Sequence, residues 1–205
     1  MLFRSESLAH QLSLREWPDA VHAESAHVED LASSDVFAPF SLHLEPGQVG
    51  VIAGDGPVRT AALLALTGRL ATDTGRARVA GELLPEQAGT VRRRTSFIAA
   101  GEHSHLRHEI DLALARHPRL LVVDEADTVA DEAGQLALSR LIRSALSDGG
   151  PAVVLGVTDA DLFDRIRPHQ VVWISPPLEV APPYGDDQAP DAATTTDEQL
   201  EGALS

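Results

Sequence analysis

The chain has 205 residues, of which 43% are hydrophobic, and its formal net charge is −15. This length and composition suit one compact domain and exclude a globally disordered chain. The absence of cysteine excludes disulfides and thiolate metal sites, and the strong acidity argues against DNA or RNA as a partner, because phosphate binding needs clustered basic residues.

The N-terminal sequence MLFRSESLAHQLSL lacks the continuous apolar core of a signal peptide, and no apolar run in the chain is long enough to span a bilayer. We therefore expect a cytoplasmic chain without direct membrane insertion. Any link to the inner face of a membrane would be made through a partner. We assign residues 1–25 to an N-terminal extension, which either packs on the domain as a strand or helix or stays loose.

The first half of the sequence alternates short apolar runs with turns and contains one helical pattern. Pro46-Gly47 separates two alternating runs, which predicts a hairpin whose second strand enters the core. The predicted elements are a strand over 26–31, a hairpin over 39–54, a helix over 59–70, a small β segment over 74–85 and a strand over 94–99. The basic run Arg92-Arg93-Arg94 is interpreted as a solvated strand edge.

The second half alternates buried strands with helices. The predicted elements are helices over 103–115, 132–146 and 160–166, and strands over 119–125, 152–158 and 170–175. This alternation predicts an α/β fold with a mostly parallel, covered sheet, to which the first half adds an antiparallel β portion. The composition shifts to Pro, Asp, Thr and Ala near the end, so we divide the chain into a folded domain over 26–178 and a disordered acidic tail over 179–205.

A candidate phosphate-binding segment joins the second run of the predicted hairpin to the following helix. Its residues are Gly54, Asp55, Gly56, Pro57, Val58, Arg59, Thr60 and Ala61. The backbone N–H groups at such a junction attract anions, and the pattern G-x-x-x-x-G-K-[ST] uses Lys for phosphates and a hydroxyl for Mg²⁺. Thr60 and Gly56 match, whereas Arg59 replaces Lys, Val58 replaces Gly and Pro57 removes one donor. An ordinary strand-to-helix turn is the alternative interpretation.

Two acids end the most apolar run of the chain, RLLVVDE. An Asp at the end of a buried strand can help to hold Mg²⁺, and a following Glu can orient an attacking water. We therefore single out Asp124 as a Mg²⁺ ligand with Thr60, and Glu125 as the candidate catalytic base. The alternative is that the two acids simply cap the strand.

These motifs, in this order, resemble the ATP-binding domain of ABC transporters, which has a P-loop NTPase core. SLHLEPGQVGVIAGDGPVRTAALLALTGRL is similar to the strand, Walker A loop and helix of that family. HPRLLVVDEADTVAD resembles its Walker B strand, catalytic Glu and D-loop, which would place Asp131 at the D-loop acid, and VVLGVTD resembles the strand before its switch histidine. The resemblance covers roughly residues 26–175 and implies ATP and Mg²⁺ as cofactors.

The sequence also departs from the family pattern. Asp159 stands at the switch histidine, Ala100 stands at the Q-loop glutamine, and no signature motif precedes ALARHPRLL. The segment from Ala100 to Pro118 is too short for the helical subdomain that carries the signature. Since the family hydrolyses ATP between one domain's P-loop and another's signature, two copies of this chain should not complete a hydrolytic site.

The resemblance leaves three hypotheses, of which the first is the leading one and the second its alternative. The chain is an ABC-type ATP-binding subunit that binds Mg-ATP and works with a membrane permease-type subunit or a second ATP-binding subunit; or a pseudo-ATPase that regulates or scaffolds without turnover; or a nucleotide-independent interaction protein whose acidic tail contacts a partner. Arg59, Val58 and Asp159 favour the second hypothesis over the first, whereas Thr60, Asp124 and Glu125 argue against the third.

A histidine-rich stretch, HSHLRH, offers a weaker metal candidate. Its members are His103, His105 and His108, and the last two would share a helix face. Neither cysteines nor an obvious acid on a neighbouring helix supports a metal site there.

Overall fold

The computed structural model describes residues 25–101, 105–129, 132–145, 150–158 and 167–177. Within these ranges the strands are β1 Ala26–Ser33, β2 Phe37–Leu44, β3 Val49–Gly54, β4 Thr74–Val79, β5 Glu82–Leu84, β6 Thr95–Ala99, β7 Leu120–Asp124, β8 Ala152–Val157 and β9 Gln170–Ile174. The α-helices are α1 Gly56–Leu66, α2 Ala88–Arg94, α3 Leu106–Leu114 and α4 Glu132–Ala145, and a short 3-10 helix spans Ala126–Thr128. The predicted acidic tail, the predicted helix over 160–166 and all of the N-terminal extension except Ser25 lie outside the described residues.

The strands form two sheets, and both predicted β portions are confirmed. A five-stranded parallel sheet has the order β6-β7-β8-β3-β9, and a four-stranded antiparallel sheet has the order β2-β1-β4-β5. In the parallel sheet Ala53 pairs with Val157 on one side and with Trp173 on the other. The α/β fold with a P-loop-type core is thus the observed architecture.

The parallel sheet separates two hydrophobic cores. Successive residues of β7 point to opposite faces, so Val122 belongs to the core shared with α1 and the antiparallel sheet, whereas Val123 belongs to the core under α3 and α4. Every residue of β7 and β8 is buried, which explains their near-continuous apolar sequences. Each fully buried aliphatic side chain contributes about 1.5–3 kcal/mol, and these strands therefore fix the centre of the domain.

The helix after β3 is shifted towards the N-terminus relative to the prediction of 59–70. It begins at Gly56, with Asp55 as N-cap and Pro57 in the first turn, where its fixed φ is compatible with a helix. It ends at Leu66, where the Thr67 hydroxyl donates to the Leu63 carbonyl at 3.1 Å, and Gly68 then takes a positive φ of 69°.

The prediction of a hairpin over 39–54 is wrong. The strand β2 pairs with β1 in the antiparallel sheet, whereas β3 pairs with β8 and β9 in the parallel sheet. The turn at Pro46-Gly47 does exist, and the Gln48 N–H donates to the Glu45 carbonyl at 3.1 Å. The turn carries the chain from one sheet to the other, since β3 is buried on both faces and needs partners on both edges.

The interpretation of Arg92-Arg93-Arg94 as a strand edge is also wrong, because these residues form the last turn of α2. Basic side chains are favourable there, where they face the negative end of the helix dipole. Among the described residues, no helix combines the length and the apolar composition needed to cross a bilayer.

Candidate functional site

Three neighbouring strands end together at the candidate site. The order β7-β8-β3 places Asp124 at the end of β7, Thr158 directly after β8 and Gly54 at the end of β3 on one edge of the sheet. In parallel α/β sheets this edge is the usual place for ligands, because the loops that follow the strands converge there. The N-terminus of α1 opens at the same edge, as the sequence predicted.

Arg59 and Asp124 form a buried ion pair at the centre of this edge. The Arg59 Nε donates to Asp124 Oδ1 at 2.7 Å, and the two side chains are 2% and 3% exposed. A second guanidinium nitrogen, Nη1, donates to the Gly54 carbonyl at 3.2 Å and to the Thr158 hydroxyl at 3.0 Å. The guanidinium is thus turned inward onto protein acceptors.

Thr60 and Glu125 donate to the same carboxylate. The Thr60 hydroxyl donates to Asp124 Oδ2 at 2.5 Å, and the Glu125 backbone N–H donates to Asp124 Oδ1 at 2.9 Å. The predicted Mg²⁺ ligands Thr60 and Asp124 are therefore adjacent. Both carboxylate oxygens are already engaged by protein donors, which is how a buried charge is normally stabilised.

Most of the candidate phosphate-binding segment forms the beginning of helix α1. Only Asp55 separates β3 from the helix, and the Arg59 N–H donates to the Asp55 carbonyl at 2.8 Å as an ordinary helical bond. Of the residues predicted to surround phosphates, Gly56 and Val58 keep backbone N–H groups in the first helical turn, while Pro57 has none. Ala61 is buried in the core shared with α1.

Glu125 adopts a left-handed backbone conformation with φ of 56° and is half-buried. A Cβ added to Gly101 would lie 2.7 Å from its Oε2, so this carboxylate rests against the residue that follows β6 by two positions. A non-glycine residue in this conformation marks a turn that the surrounding structure enforces. Its assignment as a catalytic base stays a prediction.

Thr158 and Asp127 are site residues that the sequence analysis did not identify. Asp127 Oδ2 accepts from the Thr158 backbone N–H at 2.7 Å, which ties the 3-10 helix after β7 to the end of β8. The position of Thr158 in the sequence could have indicated it, because Thr158 directly follows a buried strand. The Asp124–Glu125 pair likewise lies at the end of a buried strand.

Glycines let the backbone approach the ion pair closely. A Cβ on Gly156 would lie 2.4 Å from Asp124 Oδ1 and 2.5 Å from Leu63 Cδ1. A Cβ on Gly54, which has φ of 152°, would lie 2.4 Å from the Ile174 carbonyl oxygen. By contrast, a Cβ on Gly56 would meet no atom within 4 Å. Glycine is therefore needed at positions 54 and 156 for close packing, whereas Gly56 in the candidate phosphate-binding segment is not needed for packing.

The residues present fit Mg-ATP poorly in this arrangement. The side chain at the Lys position points to Asp124 and away from solvent, and both Asp124 oxygens already accept hydrogen bonds from the protein. The loop that would follow the phosphate groups is helical. Binding of ATP and Mg²⁺ by these residues accordingly stays a prediction, and no hydrolytic step is derived from them.

Other predicted residues lie outside the described ranges, namely Asp131, Asp159 and His103. His105 is the N-cap of α3 and His108 lies within it. Within the described ranges no group of three His, Cys, Asp or Glu side chains could hold a metal ion. At the Q-loop position, the Ala100 N–H donates to the Asp124 carbonyl at 2.8 Å.

No protein-family model matches the sequence, and no curated protein matches it either. Solved structures do match. CbiO1 of Clostridium perfringens, part of the ABC transporter complex CbiONQ, has a TM-score of 0.58 and 14% identity, over 75% of this chain and 86% of that protein. An ATP-binding subunit of an ABC transporter has a TM-score of 0.55 and 14% identity, over 69% of this chain and 82% of that protein. The ATP-binding cassette MJ0796, a dimer bound to ADP and phosphate after hydrolysis, has a TM-score of 0.56 and 11% identity, over 73% of this chain and 94% of that protein.

These similarities confirm the fold inferred from the order of the motifs. The connection between β6 and β7 is short, and its described part contains the nine-residue helix α3. The chain therefore has the fold of the ATP-binding subunits of ABC transporters, in a shortened form.

Proposed function

We propose that this chain is a pseudo-ATPase, a regulatory or scaffolding module that keeps the ABC-type fold without nucleotide turnover. The observation that carries the proposal is the Arg59 guanidinium, which is 2% exposed and bound to Asp124, Thr158 and the Gly54 carbonyl. An intact site would supply the charge opposite this Asp with Lys and a Mg²⁺ ion. Here a fixed internal cation supplies it.

The energetic argument concerns the buried pair. Removing one partner of such a pair typically costs about 3–5 kcal/mol, because the other charge stays buried alone. Moving the Arg59 side chain outward to meet phosphates would expose Asp124 to the same penalty, unless a Mg²⁺ ion replaced it. The shortened loop supports the proposal further, since the Gly56 and Val58 N–H groups are few donors for a triphosphate.

A second candidate function rests on a different contact. The Thr60 hydroxyl lies beside Asp124 as the two Mg²⁺ ligands would, and Glu125 follows directly. On this hypothesis the chain is an ATP-binding subunit in which Gly54–Ala61 surround the phosphates after Arg59 turns outward. Its partners would be a membrane permease-type subunit or a second ATP-binding subunit that supplies the missing signature.

The test is a titration of the full chain with a fluorescent ATP analogue and Mg²⁺, with phosphate release measured in parallel. Thr60→Ala and Asp124→Asn serve as site variants. Thr72→Ala, beyond the carboxyl end of α1, is the matched control. Arg59→Lys restores the Lys of the usual motif and tests whether the Arg59 side chain alone prevents nucleotide binding. Thermal unfolding of each variant verifies that it is folded.

The pseudo-ATPase proposal expects no saturable binding up to millimolar nucleotide and no phosphate release from the parent chain. Saturable, Mg²⁺-dependent binding that Thr60→Ala and Asp124→Asn lose and Thr72→Ala keeps would overturn it in favour of the ATP-binding subunit. Binding that appears only in Arg59→Lys would support the proposal and identify Arg59 as the residue that closes the site.

A further inference from the structure

A cleft lined by arginines lies at the opposite end of α1 from the candidate nucleotide site. Its volume is about 770 Å³, and four arginines line it: Arg69, Arg92, Arg93 and Arg116. The other lining residues are apolar or uncharged, except for the carboxylate of Glu109. The charge of this lining is opposite in sign to the chain's net charge of −15.

The arginines of this cleft are not neutralised by the described part of the chain. The ion pairs found there involve Arg59, Arg76, Arg94 and Arg107, none of which lines the cleft. Arg69 donates to the Thr67 carbonyl and the Thr95 hydroxyl, both uncharged, and Arg93 donates to the Thr90 hydroxyl. Burial, and then the charge of Arg92, lower the pKa of Arg69 from its usual range, because both disfavour the charged form.

The cleft also has an apolar floor. Phe97 and Ile98 of β6 line it, and Leu112 of α3 is 50% exposed beside them. A ligand that fits this surface carries several negative charges around at least one apolar side chain. This combination is typical of an acidic peptide segment and not of a bare phosphate ion.

The chain itself contains a segment with this chemistry. Residues 178–205 have no Lys, Arg or His and seven carboxylates: Glu179, Asp186, Asp187, Asp191, Asp197, Glu198 and Glu201. The last three surround Leu200, which supplies the apolar side chain. We propose that this acidic segment, centred on residues 197–201, binds in cis to the arginine-lined cleft between β6, α2 and α3.

The geometry allows this contact. The described residues end at Pro177 just after β9, which lies four strand spacings from β6, or about 19 Å at about 4.8 Å each. Because β9 ends at the candidate-site edge and the cleft extends to the opposite edge, the path also runs about 16 Å along the five-residue strands, for a separation of about 25 Å. The 20 residues from Leu178 to Asp197 would span roughly 25 Å on average as a flexible linker, at about 5–6 Å times the square root of their number. Tethering at such a distance gives an effective concentration of order millimolar, so even a weak charge-based contact is populated.

The absence of cysteine makes a direct test possible in the full chain. A nitroxide is attached at Thr196→Cys, and the loss of amide signal intensity is measured by NMR in the isotope-labelled protein. The charge-reversed variant Arg92→Glu/Arg93→Glu tests the cleft. Arg140→Glu/Arg143→Glu, on the exposed side of α4 and away from the cleft, is the matched control with the same change in net charge.

The expected result is a strong loss of amide signal intensity at Thr95–Ile98 and at Leu112–Arg116. The cleft variant should abolish this loss, the control variant should keep it, and added salt should weaken it. No loss at these residues, or the same loss in both variants, would overturn the proposal. Loss only when labelled and spin-labelled chains are mixed would overturn binding in cis in favour of a second copy. Millimolar inorganic phosphate that shifts the cleft signals, with no effect of the nitroxide, would assign the cleft to a small anion. None of these outcomes depends on whether nucleotide binds.

Discussion

Two arginine environments near the ends of α1 differ in burial and in partners. Arg59, in the first turn, is 2% exposed and pairs with a carboxylate at 2.7 Å. Arg69, three residues beyond the last turn, lies in a cleft with Arg92 and Arg93 and donates to uncharged oxygens. The first arginine has a buried carboxylate partner, whereas the arginines of the cleft form no ion pair within the described residues. The difference in partners is why we propose a structural role for Arg59 and a binding role for the cleft.

The largest expected effect follows from removing the buried cation. Arg59→Met should lower the free energy of unfolding by about 3–5 kcal/mol, because Asp124 would remain buried without its ion pair. Urea denaturation followed by circular dichroism measures the loss. Adding Asp124→Asn to Arg59→Met should recover part of the stability, and a double variant as unstable as the sum of both singles would contradict the coupling.

The glycines at the same edge provide the next largest effect. Gly156→Ala should cost about 1–3 kcal/mol, since the new methyl group would overlap Asp124 and Leu63. Gly56→Ala should be neutral or should stabilise by about 0.4–1 kcal/mol, because the position is helical and open. Thermal unfolding of the two variants compares them directly. A destabilised Gly56→Ala variant would indicate that the segment leaves the helical conformation in solution.

Neutralising the cleft should cost almost nothing. Arg92→Gln should change the free energy of unfolding by less than about 0.5 kcal/mol, because the side chain is exposed and pairs with no carboxylate among the described residues. Urea denaturation beside Arg59→Met checks the contrast. Similar losses in both variants would remove the distinction between the two arginine environments.

The smallest expected effect concerns the exposed carboxylate of Asp73. Hydrogen bonds from the Ser34 hydroxyl and then the Ser34 backbone N–H hold the pKa of Asp73 below its usual range. A folded-state pKa below the unfolded value adds stability that is present at neutral pH and lost as the pH falls below about 4. Asp73→Asn should therefore be slightly less stable than the parent at pH 7 and equal to it at low pH. Asp35→Asn, in the turn that contains Ser34, is the control, and a pH-independent difference would contradict the assignment.

Much of the fold was predictable because the strands of the parallel sheet carry strong local signals. The runs at 119–125 and 152–158 are almost entirely apolar, and they became β7 and β8 within a residue of their predicted ends. The pairing of β2 was not predictable in the same way. The turn at Pro46-Gly47 indicates where the chain bends, but the partner of each strand depends on which edges are available in the assembled sheets.

The candidate site was predictable in its members but not in its contacts. The sequence indicated Thr60, Asp124 and Glu125 at one edge, and they do lie together. It gave no sign that Arg59 would turn inward to Asp124 and Thr158, because a side chain's direction depends on neighbours distant in sequence.

By itself, the sequence determined the order of elements, the buried strands and the chemical types gathered at their ends, since these follow from hydrophobic pattern and turn residues along the chain. Only the tertiary structure decided that the candidate phosphate loop is helical, that its cation is buried, and that four other arginines line one cleft without an ion pair to any described residue. The physical reason is that burial and charge pairing depend on residues far apart in the sequence, such as Arg59 and Asp124, which are 65 positions apart. No local sequence pattern predicts which distant residues will come into contact.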